Sequence, residues 1–140
     1  KIIKKNIIFE KNYWKIASSH DGYLKDYGII HDREVEFYPE QIKFIGYDKI
    51  ISKNKMKDLK FEIRFHLEPG AKVMKTKDNK SILIDIDGEG WKFNSTDNDI
   101  NIDNGLYFGK KNSFIGSQNI FIWGMTSNEN QTIKWEITKL

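Results

Sequence analysis

The three histidines are the side chains in this sequence best suited to acid–base or metal chemistry. They are His20, His31 and His66, and the sequence contains no cysteine. A site of three imidazoles would need all of them, each from a separate segment. His66 falls on the polar face of its segment, and His31 shares a face with Arg33. We therefore interpret the histidines as solvated or hydrogen-bonded structural residues, and we expect no metal site in this chain.

An acidic run from Asp97 to Gly105 resembles a calcium-binding loop in composition. An EF-hand loop needs glycine at its sixth position and a bidentate glutamate at its twelfth. Counted from Asp97, those positions hold Ile102 and Phe108. The run is better explained as the solvent-exposed face of a strand whose other face carries Ile100 and Ile102. A calcium site of another kind is the alternative.

The four tryptophans could stack on the apolar faces of sugar rings. Trp91 and Trp135 alternate in phase with apolar neighbours, so we expect both in the core. For Trp14 and Trp123 the sequence leaves both interpretations open.

The short motifs of a self-contained enzyme are absent from this sequence. It has no serine nucleophile elbow, phosphate-binding loop, dinucleotide fingerprint or HExxH helix. We therefore predict no catalytic residue within the chain. It begins at Lys1, without an initiator methionine or a signal-peptide core, so we expect a piece of a longer protein.

The composition is that of one ordinary globular domain. The 140 residues are 39% hydrophobic and 14% aromatic, which is enough for one core and excludes wholesale disorder. No apolar run reaches the length of a membrane-spanning helix. The 23 basic residues only slightly outnumber the 20 acidic ones, and just Arg33 and Arg64 are arginines. Because phosphate and guanine recognition favours arginine, we expect no nucleic-acid partner.

Alternation of apolar and polar side chains predicts β-strands along most of the chain. In residues 59–68, five apolar residues alternate with five polar ones without an error. Residues 81–87, 99–103 and 132–138 repeat this period. Turn-forming residues lie between such segments, and they predict turns at 68–70, 78–79, 88–90, 104–105 and 127–130.

Only residues 53–60 could form a helical turn, and they have too few apolar side chains for a stable amphipathic helix. We therefore predict a single all-β domain over residues 1–140, an antiparallel β-sandwich of roughly ten strands rather than a barrel.

Several stretches resemble the heparinase II/III-like family of polysaccharide lyases. Residues 20–23, His-Asp-Gly-Tyr, and residues 31–33, His-Asp-Arg, are similar to a turn of that family and to the His-x-Arg that opens its next strand. Residues 64–70 resemble the family's Arg-Phe-His-Leu-x-Pro-Gly segment, and residues 117–120 and 133–137 are similar to its last strands. Order and spacing agree over nearly the whole chain.

The resemblance implies an (α/α) toroid of helices followed by a large, supersandwich-like β domain. Such enzymes cleave uronic-acid polysaccharides by β-elimination. Their principal base and acid lie on the toroid and their zinc ligands early in the sandwich, both upstream of Lys1. The resemblance thus implies a C-terminal region that is inactive alone, with no cofactor of its own. Its implied partners are the toroid and an anionic polysaccharide. The residues do not fix a compartment, although the family suggests a periplasmic or secreted protein.

Four residues of the resembling motifs, His20, Tyr23, His31 and Arg33, are the candidate site residues. We interpret them first as fixing a turn and a strand pair, with Arg33 available for a buried ion pair. A direct substrate-binding role for the same four residues is the alternative.

Two other functions stay open at this point. One is a non-catalytic carbohydrate-binding module in which Trp14 or Trp123 stacks on sugar. The other is a structural interaction domain, which would expose a large apolar patch where its partner normally binds.

Overall fold

The computed structural model describes residues 1–54 and 58–140, which form eleven β-strands and two short helical turns. The elements, in chain order, are β1 (Ile2–Glu10), β2 (Tyr13–His20), α1 (Leu24–Tyr27), β3 (Ile29–Tyr38), a 3-10 turn (Pro39–Gln41), β4 (Lys43–Ser52), β5 (Lys60–His66), β6 (Lys72–Lys75), β7 (Ser81–Ile86), β8 (Glu89–Asn94), β9 (Asn101–Tyr107), β10 (Ile115–Met125) and β11 (Gln131–Lys139).

The strands form two antiparallel sheets of unequal size. The larger sheet has eight strands in the order β1-β2-β3-β4-β11-β8-β7-β6, and the smaller has three in the order β5-β10-β9. The last strand, β11, lies in the middle of the larger sheet between β4 and β8. The predicted all-β, sandwich-like fold is therefore confirmed.

The core lies between the smaller sheet and the β11-β8-β7 half of the larger one. Its buried members lie in strands, except Ile100, which directly precedes β9: Ile63, Ile82, Ile84, Phe93, Ile100, Ile120, Ile122, Ile133 and Trp135. The segments whose alternation was clearest in the sequence thus supply most of the core. Trp135 is buried as expected, and Trp91 is half-buried and packs against the core.

Most of the predicted turns are confirmed. Chain reversals lie at residues 68–70, 78–79 and 127–130, with positive φ at Asn79 and Gly70. The hairpin between β7 and β8 turns at Asp87 and Gly88, both at positive φ, which suits a tight two-residue turn. The turn predicted over residues 88–90 is therefore displaced, and Gly90 already lies in β8.

The turn predicted at residues 104–105 is wrong, because β9 runs straight through it. Gly105 pairs with Ser117 of β10. A Cβ placed on Gly105 would lie 2.3 Å from Nδ2 of the buried Asn119. The glycine therefore permits a close side-chain approach within the sheet and does not form a turn.

The two helical turns occur where the sequence did not predict them. Leu24–Tyr27 ends at Gly28, which has the left-handed φ of 68°, and the 3-10 turn begins at Pro39. Of residues 53–60, for which no stable helix was expected, 55–57 lie outside the described part of the chain, and the others are not helical. No helix formed by residues 1–54 or 58–140 has the length and apolar character needed to cross a membrane.

Candidate functional site

The structure brings the four candidate site residues together at one end of the β2–β3 pair. His20 ends β2 and pairs directly with His31 on β3. Because side chains alternate along β3, Arg33 lies on the same face as His31. Tyr23 follows in the turn after β2, with its ring centroid 5.3 Å from that of His20. The motif therefore forms a single cluster on the face of the larger sheet that carries the core.

The centre of this cluster is Asp48 on β4, a residue that the sequence motifs did not include. Its carboxylate is fully buried. Oδ1 accepts hydrogen bonds from Nε2 of His31 at 2.6 Å and from Nε of Arg33 at 2.8 Å. Oδ2 accepts from Nη2 of Arg33 at 3.1 Å and from Nε1 of Trp135 at 2.8 Å. The ion pair expected for Arg33 is thus formed, with two N–H groups bound to the two carboxylate oxygens.

A signal for Asp48 was present in the sequence. In β4, Phe44, Gly46, Asp48 and Ile50 occupy alternate positions, so the period of two places this one acid among residues of the buried face. Gly46 pairs with Trp135 of β11, and a Cβ at Gly46 would lie 2.0 Å from the indole ring. The missing side chain allows the indole to lie flat over β4 and reach the neighbouring carboxylate.

The hydrogen bonds of His20 and His31 determine which ring nitrogen of each carries the proton. The backbone N–H of Gly22 donates to Nδ1 of His20, so a neutral His20 carries its proton on Nε2. That proton lies between Nε2 of His20 and Nδ1 of His31, which are 3.1 Å apart. His31 then carries its own proton on Nε2 and donates it to Asp48. The chain from Gly22 to Asp48 is complete with both imidazoles neutral.

Burial and charge shift the pKa values of two members of this chain. Burial lowers the pKa of His20 below 6.5, and the neighbouring His31 and the amino terminus lower it further. For Asp48, burial raises the pKa, but the hydrogen bonds from His31, Arg33 and Trp135 and the Arg33 charge outweigh it. The net pKa of Asp48 lies below its ordinary value. Asp48 is therefore a buried anion and His20 favours the neutral form.

An open cleft of about 410 Å³ lies beside the cluster, between β5 and the β3–β4 part of the larger sheet. Arg33 borders it, with its guanidinium carbon 5.6 Å from the ring centre of Phe65 on the smaller sheet. His20 is not among the lining residues. The cleft is lined by Tyr23, Tyr27, Ile29, His31, Arg33, Ile50, Leu59, Lys60, Phe61, Glu62, Ile63, Arg64 and Thr126.

The cluster does not fit the requirements of a metal site. Both ring nitrogens of His20 and both of His31 are directed at protein partners, and the Asp48 oxygens already accept four hydrogen bonds. Metal ligation needs lone pairs that converge on one point. Across residues 1–54 and 58–140, no three His, Asp or Glu side chains form a group that could hold an ion.

The remaining candidates lie away from the cluster. Trp14 is on β2 of the larger sheet between Phe9 and Phe37, whereas Trp123 is on β10 of the smaller sheet beneath Lys60. His66 is exposed and makes no side-chain hydrogen bond to any described residue. The two indoles therefore do not form a paired platform on one sheet face.

The chain belongs to the heparinase II/III-like family. The family model described as "Heparinase II/III-like, C-terminal" matches residues 3–136, which is nearly the whole chain. No curated protein sequence matches this chain.

Among solved structures, a heparan sulfate lyase and two proteins titled heparinase III are similar to this chain at low sequence identity. Heparan sulfate lyase HepC from Pedobacter heparinus has a TM-score of 0.84 and 13% identity over 99% of this chain. The Heparinase III-BT4657 gene product has a TM-score of 0.73 and 12% identity over 97% of the chain. A crystal structure of heparinase III has a TM-score of 0.69 and 15% identity over the full chain. At these identities the likeness establishes the fold, and the chain spans only 21–22% of the length of those proteins.

Proposed function

We propose that this chain is the C-terminal β-sandwich domain of a lyase that cleaves uronic-acid polysaccharides by β-elimination, and that it supports the upstream catalytic part. The observation that carries the proposal is the match of the family's C-terminal region to residues 3–136. The whole-chain likeness to one fifth of a heparan sulfate lyase supports the same placement.

The chemistry of the cluster favours support over catalysis. β-Elimination needs a group that neutralises the uronate carboxylate, a base for the C5 proton and an acid for the departing O4. Here the imidazoles of His20 and His31 and the carboxylate of Asp48 hydrogen-bond one another. Each bond joins two different strands, and Trp135 joins a further one. We infer that the network holds β2, β3, β4 and β11 in register.

The test compares the 140-residue chain with the longer protein encoded by its complete reading frame. Both are incubated with heparan sulfate, chondroitin sulfate and alginate, and the unsaturated uronate product is followed by its ultraviolet absorbance. We expect product from the longer protein on at least one polysaccharide and none from the 140-residue chain. Product from the short chain, or no product from the longer protein on any uronic-acid polysaccharide, would contradict the proposal.

A second candidate function is binding of an anionic sugar in the cleft, and one observation favours it. Three cationic side chains, Arg33, Lys60 and Arg64, border the cleft, and a single carboxylate, that of Glu62, pairs with both Lys60 and Arg64 there. Arg33 retains an Nη1 group that makes no hydrogen bond to the described residues. Titration of the chain with a heparan sulfate oligosaccharide would reveal such binding, and the salt dependence would report the ion pairs.

A function as a carbohydrate-binding module is less well supported than either of these two functions. Its expected signature is a pair of exposed, coplanar indoles on one sheet face, and Trp14 and Trp123 lie on different sheets. Trp14→Ala and Trp123→Ala should therefore leave any binding of the oligosaccharide unchanged.

A further inference from the structure

The hairpin of β9 and β10 extends beyond the rest of the smaller sheet. β5 pairs with β10 over residues 119–125 of that strand, whereas β9 pairs with residues 115–121. The far end of the hairpin and its loop, residues 106–115, therefore have no third strand beside them in the described part of the chain. A two-stranded ribbon of this kind has little cover of its own. We call residues 106–115 the hairpin tip.

The hairpin tip exposes five large apolar side chains. Leu106, Tyr107, Phe108, Phe114 and Ile115 are between 44% and 69% exposed. Three of the five are aromatic, and rings of this size normally lie in a core or in an interface. Proteins seldom leave such side chains grouped at the surface unless the group binds something. The hairpin tip is therefore a candidate binding surface.

Local contacts hold the aromatic rings of the tip in place. The ring of Tyr107 lies against the backbone of Gly109 and leaves no room there for a Cβ. The rings of Phe108 and Phe114 meet across the loop, with their centroids 6.0 Å apart. Because these contacts already fix the rings, a ligand that stacks on them loses little affinity to ordering of the side chains.

The charge of the hairpin tip is entirely positive. Lys110 and Lys111 are both exposed, in a turn closed by a hydrogen bond from the N–H of Ser113 to the carbonyl oxygen of Lys110. Residues 104–128 contain no Asp or Glu. The ion pairs among the described residues include neither lysine. A ligand that fits the tip therefore combines flat apolar faces with negative charge.

We propose that the hairpin tip binds an anionic polysaccharide. The rings of Tyr107, Phe108 and Phe114 stack on the apolar faces of sugar rings, and the ammonium groups of Lys110 and Lys111 pair with carboxylate or sulfate groups. The inference rests on the proposed function, because that function brings the longer protein to a uronic-acid polysaccharide.

The hairpin tip is a separate site from the cleft. The 11 residues of β10 run from the tip towards Thr126, which borders the cleft. At about 3.3 Å per residue, the two ends of this strand are about 35 Å apart. Substitutions at the tip therefore leave the cleft residues in place.

Two other occupants fit the tip less well. A protein partner that enclosed the tip would have to remove both lysines from water, which is costly unless the partner supplies acids. An anionic lipid surface fits the rings and the charges, but nothing in the proposed function requires one. The experiment distinguishes both from a polysaccharide.

The test measures binding of two labelled oligosaccharides to the 140-residue chain and to the longer protein. One comes from heparan sulfate, which carries sulfates and carboxylates, and the other from alginate, which carries carboxylates only. Fluorescence anisotropy is read immediately after mixing at 4 °C, so that little cleavage occurs. The tip variants are Phe108→Ala and the double variant Lys110→Gln/Lys111→Gln.

Each tip variant has a matched control elsewhere in the chain. Phe9→Ala is the control for Phe108→Ala, because the two phenylalanines are 68% and 69% exposed. Lys4→Gln/Lys5→Gln is the control for the lysine variant, because it also removes two adjacent exposed lysines.

We expect each tip variant to raise the dissociation constant of at least one oligosaccharide about fivefold or more, and each control to change it by less than about twofold. Added salt should weaken the binding. An effect on heparan sulfate alone would identify sulfate as the recognised group, and an effect on alginate would show that carboxylates suffice.

A thiol at position 108 tests whether the tip is open in the longer protein. The chain has no cysteine, and any upstream cysteines are replaced by serine. Phe108→Cys should react about as fast as Asn128→Cys, which lies in the exposed turn beyond the other end of β10. A thiol at position 108 that reacts at least about tenfold more slowly would assign the tip to an interface within the protein and would overturn the inference.

No binding by the wild type, tip variants that bind both oligosaccharides as the wild type does, or an equal loss in the controls would also overturn it. Vesicles of phosphatidylglycerol are the lipid probe. Sedimentation with them that only the tip variants lose, with sugar binding kept, would assign the tip to a lipid surface instead.

Lyase activity of the longer protein is measured in parallel. An active enzyme whose tip variants bind sugar normally would overturn this inference and leave the proposed function intact. A longer protein that binds sugar through the tip but cleaves no uronic-acid polysaccharide would contradict the proposed function alone.

Discussion

The indole of Trp135 and the carboxylate of Asp48 are joined by a 2.8 Å hydrogen bond between residues 87 positions apart in the chain. Trp135 belongs to β11 and is in edge contact with Phe65 of the smaller sheet at 4.8 Å. Asp48 also binds His31 and Arg33 of β3. This bond therefore connects the motif residues of β3 with the core between the two sheets.

Asp48→Asn should lower the free energy of unfolding by about 2–4 kcal/mol. The amide keeps the size of the side chain but removes the charge that balances Arg33, and it turns one acceptor into a donor facing N–H groups. Arg33 is partly exposed, which keeps the loss below that of a fully buried pair. Chemical denaturation measures the change.

Asp99→Asn is the matched control for this substitution. Asp99 pairs with Lys80 at the surface, where its side chain is 66% exposed. Its loss should change the free energy of unfolding by no more than about 0.5 kcal/mol. Equal effects of the two substitutions would contradict the central position given to Asp48.

The stability of the chain should fall as the pH drops below about 6.5, and His20 should account for part of that fall. The pKa of His20 is lowered in the folded state, so the unfolded chain binds more protons in this range. The contribution is complete above pH 6.5 and is lost as the pH falls towards the lowered pKa. Protonation of Nδ1 also places a second donor against the Gly22 N–H, so that hydrogen bond is lost.

Denaturation curves of the wild type and of His20→Gln across pH 4.5–7.5 measure this dependence. The variant should show a shallower fall, and His66→Gln, which removes an exposed imidazole without a described hydrogen-bond partner, should follow the wild-type curve. A His20→Gln curve parallel to that of the wild type would exclude His20 as a source of the pH dependence.

Gly46→Ala should destabilise the fold by about 1–3 kcal/mol or more, because a Cβ there would lie 2.0 Å from the Trp135 ring. The indole would have to leave the face of β4 and lose its bond to Asp48. Thermal unfolding and tryptophan fluorescence report the two effects. Gly116→Ala on β10 is the control, since open space surrounds that position, and a comparable loss there would refute the explanation by close approach.

Local pattern predicted the strands of this fold well and its long-range pairing poorly. Alternation correctly gave β5, β7 and β11, since in each strand the residues that face the core occupy every second position. It could not divide the strands into sheets of eight and three, because that division depends on contacts between distant segments. The turn predicted at Gly105 was wrong for the same reason, because this glycine leaves room for the side chain of Asn119 on another strand.

The candidate site was predictable in part. The motif residues were found, and the ion pair of Arg33 was expected without its partner. Asp48 could have been identified from its place on the apolar face of β4, where an unpaired acid would be costly. The bond from Trp135 had no local signal, because it joins residues 87 positions apart in the chain, on the paired strands β11 and β4.

The central claim is that this domain supports a catalytic part that lies elsewhere in the protein. Its most direct test is the rate of unsaturated uronate formation by the longer protein carrying Tyr23→Phe or His31→Gln, measured below the melting temperature of each variant. Tyr23→Phe removes only a hydroxyl at the cleft, and His31→Gln removes an imidazole from the network. We predict kcat and KM within about twofold of the wild type for both, with a lower melting temperature for His31→Gln alone. A fall in kcat of about a hundredfold or more in either folded variant, the size of a lost acid or base, would contradict the claim.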